Sequence, residues 1–147
     1  MSHIVYFDNV VPTSERLQIH EFCLKSTYKL GWYDSQDPSK YILNLHSRWS
    51  DEDMENSQLL PYIQNCIDQT SWFTKKNEQV ALYYVNLDWR DGWYGETIFY
   101  DEFDQNKIGF TTPYIPGRIV LFDGSIPHAI RPQSAEGPKF RITISLF

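Results

Sequence analysis

Apolar and polar positions change their period twice along the chain. Residues 4–7 (Ile-Val-Tyr-Phe) are a short apolar run stopped by Asp8-Asn9, the pattern of a brief strand. Pro12-Thr13-Ser14-Glu15 then opens a helix, with a hydroxyl as candidate cap and an acid in the first turn. Leu17, Ile19, Phe22, Cys23 and Leu24 follow at roughly helical spacing, and Gly31 is the expected stop. Residues 32–49 hold aromatic and aliphatic side chains in mixed order around the turn signals Asp34-Ser35 and Asp37-Pro38. Strands and an irregular aromatic loop are both compatible with that order. Ser50-Asp51-Glu52-Asp53 resembles a capping box before a second helix with Leu59, Leu60, Ile63 and Ile67, although Pro61 disfavours its first half.

From residue 80 the period shortens. Residues 80–85 are a continuous apolar run, as for a strand buried on both faces. Further strands are expected over 96–100, 108–112, 118–122, 129–131 and 140–147, separated by Pro113, Pro116-Gly117, Asp123-Gly124, Pro127 and Pro132. Many short strands with Gly/Pro turns point to a barrel or jelly roll and not to a βαβ sheet. The expected fold is mostly β with supporting α-helices, a double-stranded β-helix (jelly roll). One domain spans 1–147, with 1–79 as helical or irregular support and 80–147 as the core.

Composition narrows the function classes. At 147 residues the chain is one domain's length, and 24 aromatic residues (5 Trp, 10 Tyr, 9 Phe) argue for a packed core over disorder. A formal net charge of −6 without a Lys/Arg cluster disfavours nucleic acid or an anionic membrane as partner. No apolar run approaches the ~18 residues of a membrane span, and Met1 to Val5 lacks a basic signal-peptide start. Two cysteines, Cys23 and Cys66, make neither a disulfide scaffold nor a four-thiolate zinc site. A cytoplasmic location is the expectation.

Two polar residues stand out within this apolar second half. His128 emerges after a strand, a tight turn and Pro127, a rigid position for a metal ligand, although a lone histidine is more often a surface or satisfied core residue. Arg141 lies within the apolar run 140–147. Its guanidinium cannot discharge itself, so it either points to solvent from a strand edge, pairs with an internal acid such as Glu96, or faces a wet pocket where its fork suits a carboxylate.

The segments Leu82-Tyr83-Tyr84-Val85-Asn86-Leu87-Asp88-Trp89 and Gly95-Glu96-Thr97-Ile98-Phe99 resemble the core of Fe(II)/2-oxoglutarate-dependent dioxygenases. So do Pro116-Gly117-Arg118-Ile119-Val120-Leu121-Phe122, Pro127-His128 and Arg141-Ile142-Thr143, and the likeness is to the prolyl 4-hydroxylase-like branch. It covers about residues 80–147; residues 1–79 match loosely. The resemblance implies that His128 is the distal iron ligand, that Arg141 binds the far carboxylate of 2-oxoglutarate, and that Tyr84 donates its phenol to the same carboxylate. Tyr83 then faces the opposite way, as strand alternation demands. Trp89, Trp93 and Tyr94 either line the mouth or fold over the core. Tyr94-Gly95 stands where the family usually has Gly-Gly.

The larger departure is in the metal site. The family's triad is two His and one carboxylate, with the first His and the acid in a His-x-Asp/Glu motif. Two positions after the four histidines stand Val5, Phe22, Arg48 and Ile130, none acidic. The ten residues 70–79 are too few for the two strands the family threads there. Asp68 and His46 are poor distant substitutes, because ligand geometry must be met within tenths of an ångström. Either the motif lies on a segment missing between about Lys76 and Glu78, or the barrel survives without metal. Retention of Tyr84, His128 and Arg141 together favours the former.

The implied function is therefore an oxygenase using Fe(II), 2-oxoglutarate and O₂ on a substrate such as a prolyl residue in a peptide. The alternative is a metal-free jelly-roll module that binds a small carboxylate or a protein partner.

Overall fold

The computed structural model describes residues 3–33, 41–74 and 78–146. The apolar run 4–7 forms β1 (Ile4–Phe7), and α1 (Thr13–Lys25) follows. Only Ile19 and Cys23 of α1 are buried, one turn apart, while Leu17 and Leu24 are exposed. The expected stop at Gly31 is overturned: the helix ends at Lys25, and Gly31 lies in β2 (Lys29–Tyr33), paired with β3 (Tyr41–His46). Within the open reading of residues 32–49, strands occupy 32–33 and 41–46, residues 47–49 are irregular, and 34–40 lie outside the described residues.

The second helical segment is two helices, α2 (Asp51–Ser57) and α3 (Leu60–Asp68). Ser50 and Asp53 make the reciprocal capping box, side chain to backbone, at 3.1 and 3.0 Å. The break falls at Gln58, whose φ is +61°, and Pro61 sits in the first turn of α3, where its missing N–H costs nothing.

The remaining strands are β4 (Gln79–Tyr84), β5 (Thr97–Tyr100), β6 (Ile108–Thr112), β7 (Ile119–Asp123), β8 (His128–Ile130) and β9 (Thr143–Leu146). They form a four-stranded sheet in the order β1-β7-β4-β9 and a three-stranded sheet in the order β6-β5-β8, with antiparallel pairing throughout. Because side chains alternate, β4 and β7 bury both faces. Ala81, Tyr83, Ile119 and Leu121 join Ile19, Cys23, Leu59, Ile63 and Cys66 on the helical side. Val80, Leu82, Tyr84, Val120 and Phe122 meet Phe99 of the second sheet on the other.

The architecture is three layers, helices on sheet on sheet, jelly-roll-like. The expected barrel does not close: among the described residues the two sheets share no strand pairing. The strand expected over 140–147 is also shorter, since β9 begins at Thr143 and leaves Arg141 in the segment before it.

Candidate functional site: a half-buried arginine among hydroxyls

Alternation along β4 turns Tyr84 toward the second sheet, fully buried. Its phenol lies 2.7 Å from Thr97 Oγ1 and 3.0 Å from Thr112 Oγ1. Thr97 and Thr112 are cross-strand partners on β5 and β6, so both hydroxyls point into the space between the sheets. The Tyr84 ring stacks on Tyr114 with centroids 4.5 Å apart.

Arg141 reaches the same place from the segment before β9. Its Nε–H donates to Gly95 O at 2.8 Å, and Nη2 lies 3.4 Å from Thr97 Oγ1. The guanidinium carbon is 5.0 Å from the Tyr114 ring centre and 5.5 Å from that of Tyr84. Burial pulls the Arg141 pKa down from its ordinary value, with the neighbouring phenols acting the other way. An arginine nonetheless stays charged at neutral pH. Among the described residues no carboxylate lies at ion-pair distance from it; Glu96 pairs with Arg131 at 3.6 Å and acts on Arg141 only at longer range. Arg141 and Tyr84 therefore meet around Thr97, which puts a half-buried cation next to a linked set of three hydroxyls.

Gly95 makes this close approach feasible. Its φ is +80°, and a Cβ there would stand 2.7 Å from the Trp89 ring and 3.4 Å from Arg141 Nε. Trp89 donates its indole N–H to Tyr94 O at 2.8 Å and lies 4.1 Å from the Tyr114 ring. It thus covers the aromatic wall of the site, while Tyr94 is exposed beneath the Arg131 guanidinium at 3.7 Å.

His128 starts β8, which pairs on one side with β5 and has no second neighbour among the described residues. It is exposed. Register places it opposite Phe99, on the same face as and two residue pairs along from Thr97 and Ile130. Its ring packs at 5.1 Å from Phe122, and Nδ1 lies 2.7 Å from Ile126 O. That bond fixes the proton on Nδ1 and leaves Nε2 as the lone pair in the neutral ring.

No group of three or more His, Cys, Asp or Glu able to hold a metal occurs among the described residues. Asp68, at the end of α3 in the helical layer, accepts from Gln64 at 2.8 Å, and His46 ends β3. Neither is grouped with His128 in a metal site. The expected insertion point spans Lys76 and Asn77, which lie outside the described residues.

Sequence reasoning did not assign roles to Thr97, Thr112, Tyr114 or Asn86. The threonines were findable in principle: each is the polar exception on the inward face of its strand.

No protein-family model and no curated protein matches this chain. Among solved structures it is similar to a prolyl hydroxylase from Trichoplax adhaerens, in complex with a hypoxia inducible factor oxygen degradation domain peptide fragment. The TM-score is 0.64 at 14% identity, covering 99% of this chain and 82% of that one. IDO from Bacillus thuringiensis is similar at TM-score 0.53 and 15% identity, covering 95% and 87%. At these identities the likeness shows the fold alone, and it links this chain distantly to a dioxygenase-like fold.

Proposed function

We propose that this chain binds 2-oxoglutarate, with the far carboxylate held by Arg141 and Tyr84 between the two sheets. The observation that carries this reading is the Arg141 guanidinium itself, half-buried beside Thr97 and the Tyr84 ring with no carboxylate of the described residues at ion-pair distance. A planar fork with neighbouring hydroxyls suits a carboxylate, and an anion entering there neutralises a charge that burial makes costly. Phe99 lies two residues beyond Thr97 on β5, a rise of about 7 Å. That is the scale of a five-carbon dicarboxylate, and it leads from Arg141 toward the His128 row.

Fe(II) does not fit the described residues alone. A facial site needs three ligands, and His128 is one. One observation nevertheless favours the fuller oxygenase reading as a second one. His128 anchors Nδ1 on Ile126 O, which is how metal-binding imidazoles are commonly oriented. In that reading the other two ligands come from outside the described residues, O₂ is the second cosubstrate, and a peptide is the substrate. The peptide is proposed because the Trichoplax enzyme is described with one bound. We further propose a single domain over 1–147 and a reducing, cytoplasmic location, in keeping with two buried free cysteines.

A crystal structure with 2-oxoglutarate tests the first reading: the far carboxylate should lie against the Arg141 fork and the Tyr84 phenol. Density elsewhere, or none at saturating ligand, overturns it. Release of succinate on adding Fe(II), abolished in His128→Ala, supports the second reading, and its absence with correctly bound 2-oxoglutarate removes it.

A further inference from the structure

The β4–β9 ladder ends at the pair Tyr84–Thr143, just short of Arg141. Beyond it, a side chain takes over. Asn86 Nδ2–H donates to Phe140 O at 2.9 Å, and Asn86 Oδ1 accepts from Ile142 N–H at 2.8 Å. These two backbone groups flank residue 141 and no other, so one carboxamide clips the chain on both sides of Arg141.

Asn86 is itself held. It is 8% exposed, and its backbone N–H donates to the Tyr114 phenol oxygen at 2.9 Å. That phenol sits 2.8 Å from Asn86 Oδ1 and 2.6 Å from Ile142 O, with one proton to give to either. Val85 N–H also reaches Ile142 O, at 3.1 Å. The same Tyr114 ring is the aromatic wall beside the Arg141 guanidinium.

We propose that Asn86 is a positioning residue for the carboxylate site, setting through Phe140 and Ile142 where the Arg141 fork lies. The role needs a donor and an acceptor on one short, uncharged group. Aspartate would turn an oxygen toward Phe140 O and place a negative charge near the cation meant for the ligand. Glutamine is one methylene too long for the same two contacts. The proposal rests on the carboxylate reading of Arg141, and its test separates the two.

The test compares wild type with Asn86→Ala, following the Arg141 Nε–H signal by ¹⁵N NMR without ligand and then titrating 2-oxoglutarate. The expected result is Nε–H exchange about tenfold faster in the variant, the scale of one hydrogen bond. Affinity for 2-oxoglutarate should weaken by at least a similar factor. Asn86→Asp should fail to restore either. If Asn86 only supports the fold, Asn86→Ala will melt earlier while Arg141 exchange and affinity in the folded protein stay unchanged, and the proposal is overturned. Should Asn86→Ala not fold, Tyr114→Phe serves in its place: the same changes, smaller, support the proposal and unchanged exchange overturns it. If wild type binds no 2-oxoglutarate, the carboxylate reading fails, while the exchange comparison still decides the role of Asn86.

Discussion

Tyr83 and Tyr84 are neighbours on β4, both fully buried, and they live in different chemical worlds. Tyr83 faces the helices, where its phenol oxygen is buried with no hydrogen-bond partner among the described residues, and burial pushes its pKa up to about 12. Tyr84 faces the second sheet, where two threonine hydroxyls meet its phenol and Arg141 lies above its ring. One residue of chain separates a face used for packing from a face equipped to bind. The alternation of a strand is enough to do this, because it sends adjacent side chains into different layers.

The comparison breaks most visibly in the core of the helical face. Leu59 is fully buried there, and Leu59→Ala should cost about 2–5 kcal/mol in urea denaturation by leaving a cavity. Affinity of the folded variant for 2-oxoglutarate should not change, as the other face of β4 is untouched. A loss of affinity beyond the unfolded fraction would show that the two faces are not independent.

The tyrosines themselves sharpen it. Tyr84→Phe removes bonds to Thr97 and Thr112 and should lower stability by about 1–3 kcal/mol, with weaker ligand binding. Tyr83→Phe removes a buried hydroxyl that has no partner and should leave stability unchanged or raised. Equal losses in the two variants would contradict the division between the faces.

A smaller effect concerns pH. Burial pushes the thiols of Cys23 and Cys66 up to about 12 and about 11, as it does Tyr83. The unfolded chain releases these protons first, from the ordinary values of 9.0 for a thiol and 10.0 for a phenol. The stability linked to keeping these three groups protonated is therefore fully present below pH 9 and is lost progressively as pH rises toward 12. Thermal melts from pH 8 to 10.5 should show the decline, and it should lessen in Cys23→Ala.

The division between the faces was partly legible in the sequence. The unbroken apolar run 80–85 announces a strand buried on both sides, and the placement of Tyr83 opposite Tyr84 follows from alternation alone. Arg141 was marked because a cation in an apolar stretch needs a reason. Its partners are not visible there: Thr97 and Gly95 come near it only through the fold and a left-handed turn, which no local pattern encodes. The apolar stripe of α1 reads wider in sequence than it is, because Leu17 and Leu24 look like core yet α1 buries only Ile19 and Cys23. The sequence marks His128 as a rigid strand-end residue but not that its strand is an exposed edge, since strand count along a chain does not reveal which edges pair.

The most direct measurement of the central claim is isothermal titration of 2-oxoglutarate into wild type and Arg141→Ala, each checked for folding by circular dichroism. Removing one partner of a desolvated ion pair costs about 2–5 kcal/mol, so affinity should fall by about 30-fold or more in the variant. Equal affinities in two folded proteins would contradict the assignment of Arg141 as the carboxylate anchor.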